Sequence, residues 1–385
     1  MTRRYKLPLA ACALIVAAAS PLAAQDRSAP LLRMLQALPA SFVTNTINAD
    51  YTFGDPAAAA VVIQQAIARG LMAAAIGNPA EPILSEFAEP IGPMLRTASR
   101  DLGMAMFQAG PQGWAPLLGF GADDIDQFLT VLNPPLTALM VTLDPALIDG
   151  IGPVLIGNGY APLDFGGVPA FLRGENDYQL NLELRNPADP FGGNLGRSSR
   201  IALLAGGMVL QSSGLPDLQE MLDREGPKLG DDPLVQSLLA ALDDSAAGTG
   251  PILRAVLFPA PDVLRVTDTA APGLRMALLA DISDGRSVHA TLALAYDSRA
   301  EATAAAQQIA ARWSGAVSPR RLASYAEVTG QSPVITVLGD APALVLLTLT
   351  AVASFESFSG NDMNAAYDWL LSAVYTSDMV FLPEG

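Results

Sequence analysis

Apolar positions recur along this chain with two periods, and the switch between them divides it. Between residues 29 and 130 the spacing is helical. In "APLLRMLQAL", Leu31, Leu32, Leu35 and Leu38 share a face, and Pro39 ends the run. In "DPAAAAVVIQQAIARG", Asp55 is the predicted cap, Pro56 fills the first turn and Gly70 marks the predicted end. Two shorter apolar segments follow, broken by Pro79, Pro82, Pro90 and Pro93 and by the turn "AGPQGW". From about residue 131 strand patterns take over. "LTALMVTLDPALIDGIGPVLIGNGYAPLDFGGVPAFL" reads as strand, helix, strand, with Asp144 as cap, Leu147, Ile148, Ile151 and Leu155 on one apolar stripe and Asn158-Gly159 as the stop. "NDYQLNLELRN" alternates at Tyr178, Leu180, Leu182 and Leu184 and predicts another strand.

The plan then repeats. "RMALLADISDGRSVHATLALAYDSRAEATAAAQQIAARW" predicts two strands joined near Ser283-Asp284-Gly285, then a helix with Ser298 and Glu301 at capping-box spacing. "SPVITVLG" and "LVLLTLTAV" predict a closing strand pair. A last helix carries Trp369, Leu370 and Val374 on one face, with Asn361 or Asp362 as its cap. The expected fold class is α+β: a helical N-terminal region followed by two similar open-sheet, ferredoxin-like α+β units. The boundaries are a leader at 1–24, a mainly helical region at 25–130, a first α+β unit at 131–262 and a second at 263–385, with the seam at 260–273.

"GADDIDQFLTVLNPPLTALMV", then Asp144, "NGYAPLDFGGV" and "NPADPFGGNLGR" resemble a pattern in an uncharacterised family of exported bacterial proteins. The resemblance covers residues 115 to 205. It implies one structural unit there, and no activity.

The N-terminus changes the picture. Arg3, Arg4 and Lys6 precede an apolar run from Leu9 to Ala19, and small residues follow up to Ala24. That is a secretory signal with cleavage after Ala24, which places the protein in the periplasm or outside the cell. Two other readings compete. "LAAC" resembles the box before a lipid-modified cysteine, although most of the apolar run lies beyond Cys12. "TRRYKL" resembles a twin-arginine signal, although Lys6 stands where an aromatic residue is usual, and Sec and Tat export both stay open. Cleavage after Ala24 removes Cys12, the one cysteine, so thiol, disulfide and cysteine-metal chemistry leave with it. The remaining chain carries 19 Lys and Arg against 38 Asp and Glu, a balance that repels phosphate backbones, so no nucleic-acid partner is expected. The longest later apolar stretch, Ala341 to Phe355, is too short to span a bilayer.

Candidate chemistry is thin. Gly192, Gly193 and Gly196 precede Arg197 and Arg200, which suggests a phosphate cradle. Such cradles sit at a helix N-terminus, whereas "RIALLAGGMVL" reads as strand, so a structural loop is favoured. Arg197 and Arg200 stand as the candidate anion or ligand contacts. His289, the single histidine, lies in a strand pattern with no G-x-S-x-G elbow to pair with. Asp123, Asp124 and Asp126, and Asp231 with Asp232, sit where helix caps belong and lack calcium-loop spacing. No catalytic, cofactor or metal residue is assigned. Two functions follow: a non-catalytic envelope protein holding a protein partner or apolar ligand between the two units, or a carboxylate-based periplasmic hydrolase whose acids meet only in the fold.

Overall fold

A computed structural model describes residues 26–43, 50–75, 91–110, 113–245, 250–260, 264–266, 269–352 and 364–383. The leader, its cleavage point and the caps expected at Asn361 or Asp362 lie outside them. No helix among the described residues is long and apolar enough to cross a membrane.

Twelve strands form one sheet. They are β1 (Asp50–Gly54), β2 (Gln127–Asn133), β3 (Leu136–Thr142), β4 (Ala161–Phe165), β5 (Val168–Arg173), β6 (Ser199–Leu204), β7 (Met208–Ser212) and β8 (Ile252–Phe258) in the first part. Two short strands, β9 (Arg265–Val266) and β10 (Thr269–Ala270), pair separately at the expected seam. β11 (Leu274–Ser283), β12 (Ser287–Tyr296), β13 (Val334–Leu338) and β14 (Ala343–Val352) complete the sheet. The spatial order is β13-β14-β12-β11-β8-β1-β2-β3-β7-β6-β5-β4.

The α+β class holds; where two similar open-sheet, ferredoxin-like α+β units are expected, the strands form one continuous sheet. β1 pairs with β8, Tyr51 opposite Leu257 and Thr52 opposite Val256, and this pairing fuses the halves. Neighbouring strands all run antiparallel, so the parallel pair that a βαβ crossover makes does not occur among the described residues. Outward from the join, β1-β2-β3-β7-β6 on one side has the same connectivity as β8-β11-β12-β14-β13 on the other, with the β4–β5 hairpin added beyond β6. The region expected to be mainly helical supplies β1, a strand buried at all five positions.

Helix starts follow local chemistry. Asp55 accepts from the Ala58 N–H at the head of α2 (Pro56–Ala75), but the helix continues past Gly70. One interior glycine costs only about 1 kcal/mol against alanine, and the surrounding alanines and straight-chain residues carry the helix through it. α1 (Ala29–Gln36), the neighbouring α3 (Ile91–Thr97), α4 (Arg100–Ala109) and the short α5 (Ala115–Leu118) complete the N-terminal helices. Asp144 accepts from the Ala146 N–H, and the chain enters α6 (Ile148–Gly157) through a 3-10 turn. Asp232 caps α8 (Pro233–Asp244), which follows α7 (Leu215–Leu222). Ser298 and Glu301 form the expected capping box of α9 (Arg299–Gly315), and Ser324 with Glu327 forms another on α10 (Tyr325–Thr329). The last helix, α11 (Ala365–Tyr375), is capped by Asn364, which accepts from the Tyr367 N–H.

Both sheet faces are covered, which explains why β11 and β12 are buried at nearly every position instead of alternating. On one face, Leu31 and Leu35 of α1, Leu218 of α7 and Leu238 of α8 pack over Phe53, Leu129, Leu257 and Leu278. The opposite face carries two cores. One gathers α4, α5 and α6 around Trp114, Phe128 and Ile151. The other gathers α9, α10 and α11 around Trp313, Tyr325 and Trp369.

Candidate functional site

The predicted strand at 176–186 does not form. The segment from Gly174 to Ser198 is a loop between β5 and β6, with 3-10 turns at Leu182–Leu184 and Gly193–Leu195. Its backbone bonds close on each other. The Asn181 N–H donates to Gly196 O at 2.9 Å, the Asn186 N–H to Gly193 O at 2.8 Å, and the Ser198 N–H to Gln179 O at 2.9 Å. Gly196 is required there: its φ is +60°, and a side chain would overlap the Asn181 carbonyl. With the backbone satisfied internally, the leucines of the false strand face water. Leu180 is 58%, Leu182 73%, Leu184 39% and Leu195 42% exposed. The two 3-10 turns, which carry three of these leucines, lie against each other.

Two ion pairs, each with one buried partner, tie this loop to the sheet. Arg173 on β5 bonds Asp189 and donates to Phe191 O, and its guanidinium lies 4.8 Å from the Tyr160 ring centre. Arg200 on β6 is buried; its Nε meets Asp177 Oδ1 at 3.0 Å and its Nη1 donates to Arg173 O at 2.7 Å. Asp177 also accepts from the Leu215 N–H at the head of α7. The guanidinium proposed as an anion contact is thus engaged in anchoring the loop. Arg197 is half-buried beside Gly192, and Leu180 bridges to its backbone. The residue after the loop opens β6, a strand, so no helix N-terminus faces the glycines.

A second cluster lies where the halves meet. Asp281 on β11 is fully buried and pairs with Arg96 at the end of α3, while Asn364 Nδ2 donates to its Oδ1 at 2.6 Å. On the neighbouring strand β8, Arg254 reaches Asp368 at 3.4 Å and stacks 5.2 Å from the Tyr367 ring centre. Asp50, at the start of β1, accepts from the Tyr375 hydroxyl at 2.9 Å. Two charge pairs and this hydrogen bond therefore lie beside the join. Burial lifts the Asp50 carboxyl to about 6, opposed by the Tyr375 hydrogen bond and aided by Asp101. The sign of its linkage is clear. Above about pH 4 the unfolded carboxyl is ionised while the folded one keeps its proton to about 6, so Asp50 makes stability fall as pH rises through that window. Asp50→Asn is expected to flatten that fall and to stabilise the protein by about 1–3 kcal/mol at pH 7. Urea unfolding of both proteins at pH 4 and pH 7 checks it, and an unchanged difference between the two pH values contradicts the assignment.

No family model matches the chain, and no curated protein matches it. It is similar to solved structures of TP0453. Crystal form I gives a TM-score of 0.36 at 11% identity, covering 88% of this chain and 97% of that one. Crystal form IV gives 0.34 at 10% identity over 88% and 96%, and form III gives 0.33 at 10% over 81% and 93%. At these scores the likeness assigns neither family nor activity.

The other sequence candidates have local partners. His289 is buried on β12, with Nδ1 2.9 Å from Thr350 Oγ1, and burial pushes its pKa down. Asp124 accepts from the Gly121 N–H, and Asp232 from the Leu234 N–H. Asp243 accepts from both the Ser28 N–H and its hydroxyl, with Asp26 beside them; burial and that neighbour lift Asp243 to about 6. Sequence reasoning missed Arg96, Asp281 and the exposed leucines. A signal for the first two was present: a lone arginine in "IGPMLRT" and a lone aspartate inside the apolar strand "LLADIS". Charges placed so deep in apolar elements are retained when they can pair.

Proposed function

We propose that this chain is a non-catalytic binding protein of the bacterial envelope, docking a partner through the leucine-tipped loop at 174–198. The carrying observation is that loop: a backbone bonded to itself and held by two ion pairs, yet presenting four leucines to solvent. Local sequence rules failed there and held at the helix caps, which is the pattern expected of a functional element. An ordered apolar patch in water is a contact surface. Export rests on the leader, with the periplasm or the exterior as destination. The reading of two related α+β units is supported by the matching strand connectivity on either side of β1 and β8. Two charge pairs beside that join favour the loop over the space between the units as the partner's seat.

The magnitudes set a limit. Covering four half-exposed leucines contributes on the order of 3–6 kcal/mol, against about 8 kcal/mol for a micromolar complex. The partner must therefore also bond the polar rim, where Glu183, Arg185 and Asn194 are exposed. The test is the Leu182→Ser, Leu184→Ser double variant of the exported protein. Its unfolding midpoint should match the parent, since both side chains already face water, while partners crosslinked in cells from a photoreactive residue at Leu180 should be lost. Equal recovery of the same partners from parent and variant contradicts the docking role.

The carboxylate hydrolase has one favouring observation. Asp50 holds its proton to about 6 beside the half-exposed Tyr375, in the range a general acid needs. Turnover of any substrate by the purified protein, abolished in Asp50→Asn although that variant is at least as stable as the parent, selects that reading instead.

A further inference from the structure

The two edges of the sheet are built differently. β4, at one edge, carries Pro162 and Asp164, and a proline or a charge on an edge strand blocks the addition of another strand. β13, at the other edge, reads Val-Ile-Thr-Val-Leu with neither. Val334 is 64% exposed and Thr336 is exposed, and β13 pairs on one side alone among the described residues, with β14. Four of its five residues are β-branched, on an edge that no other described strand covers.

The surface beside that edge is uncharged as well. α9 lies over β13 and β14. Between Glu301 and Arg312 its exposed positions are Thr303, Ala304, Gln307, Gln308, Ala310 and Ala311. On the other face, Thr350 and Val352 of β14 are exposed. This matters in a chain with a formal net charge of −16, because two like-charged copies can approach closely where the surface carries no charge.

We propose that β13 is a homodimer edge: two copies of this chain pair β13 with β13 antiparallel, about a two-fold axis at Thr336. The strand is self-complementary in that register. Val334 meets Leu338 of the other copy, Ile335 meets Val337, and Thr336 meets itself, all uncharged pairs suited to cross-strand contact. The ion pair Arg299–Asp340 near the end of β13 then faces Gln331 and Ser332 of the other copy, so no like charges are brought together.

The test uses the full chain with Cys12→Ser, so that an introduced cysteine is the only thiol whether or not residues 1–24 are retained. Directly opposed residues of an antiparallel pair lie about 4.5–5.5 Å apart at Cα, within the roughly 4.4–6.8 Å that a disulfide spans. Thr336→Cys is therefore expected to oxidise to a covalent dimer, while Asp164→Cys on the opposite edge stays monomeric. Sedimentation of the parent should give a dimer, and Thr336→Lys should raise its dissociation constant at least roughly tenfold with an unchanged circular-dichroism melt. A monomeric parent at high micromolar concentration overturns the proposal. So does a dimer that Thr336→Lys leaves intact, or crosslinking at 164 in place of 336. Should the lysine variant fail to fold, the cysteine pair decides alone.

Discussion

Arg96→Ala is expected to lower the stability of this protein by about 3–5 kcal/mol, because it strands a buried carboxylate. Asp281 has 0% exposure and sits mid-strand under the helical cover, held by Arg96 and by the Asn364 amide. Arg254 on the adjacent strand feels the Asp281 charge but is occupied with Asp368 and the Tyr367 ring, so it compensates in part. The pair itself is not a strong net stabiliser, since removing both charges from water costs about as much as their attraction returns. A double variant with apolar residues at both positions should therefore recover most of what Arg96→Ala loses. Urea midpoints of the single and double variants measure both claims. A loss below about 1 kcal/mol in Arg96→Ala, the range of exposed pairs, would show that Asp281 reaches solvent.

Trp313→Ala is expected to cost a similar amount, about 3–5 kcal/mol, by opening a cavity. Trp313 is 1% exposed and its ring is a hub: Phe381 lies at 5.1 Å, Tyr325 at 5.5 Å and Trp369 at 6.2 Å between ring centres. Those four rings tie α9, α10, α11 and the C-terminal segment into one core. The indole N–H also donates to Gln331 O at 3.0 Å, so Trp313→Phe should lose a smaller amount, about 1 kcal/mol of it from the hydrogen bond. Thermal unfolding followed by near-ultraviolet circular dichroism reads both variants. Against a typical total of about 5–15 kcal/mol, the alanine variant should populate unfolded chain at physiological temperature. A melt indistinguishable from the parent would mean that neighbouring rings collapse into the space.

Much of the architecture was legible because short-range chemistry dictates it. Asp55, Asp144, Asp232 and Ser298 cap the helices whose starts they mark, and Asp284-Gly285 turns the β11–β12 hairpin. Errors arose where two signals had the same form. Leu180, Leu182 and Leu184 alternate as a half-buried strand does, but alternation shows which residues are apolar and not whether a face awaits them. The cap of α11 fell at Asn364 because several polar residues in "NDMN" suit the role and only the packed helix chooses between them.

The candidate site was less legible. Arg197 and Arg200 looked alike as free cations, and the fold separates them: Arg200 is buried against Asp177, whereas Arg197 stays half-buried beside Gly192. Arg96 and Asp281 stand 185 positions apart, and nothing local links them.

By itself the sequence determined the mixed class, most of the caps and the hairpin turns, since each depends on residues within a few positions of one another, and the absence of any thiol beyond Cys12. Only the tertiary structure decided that the halves share one sheet, that charge pairs lie beside the join and that four leucines remain in water. Those outcomes are set by pairings between distant segments, where β1 must find β8 and Arg96 must find Asp281, and local propensity carries no information about which distant partner a buried group will meet.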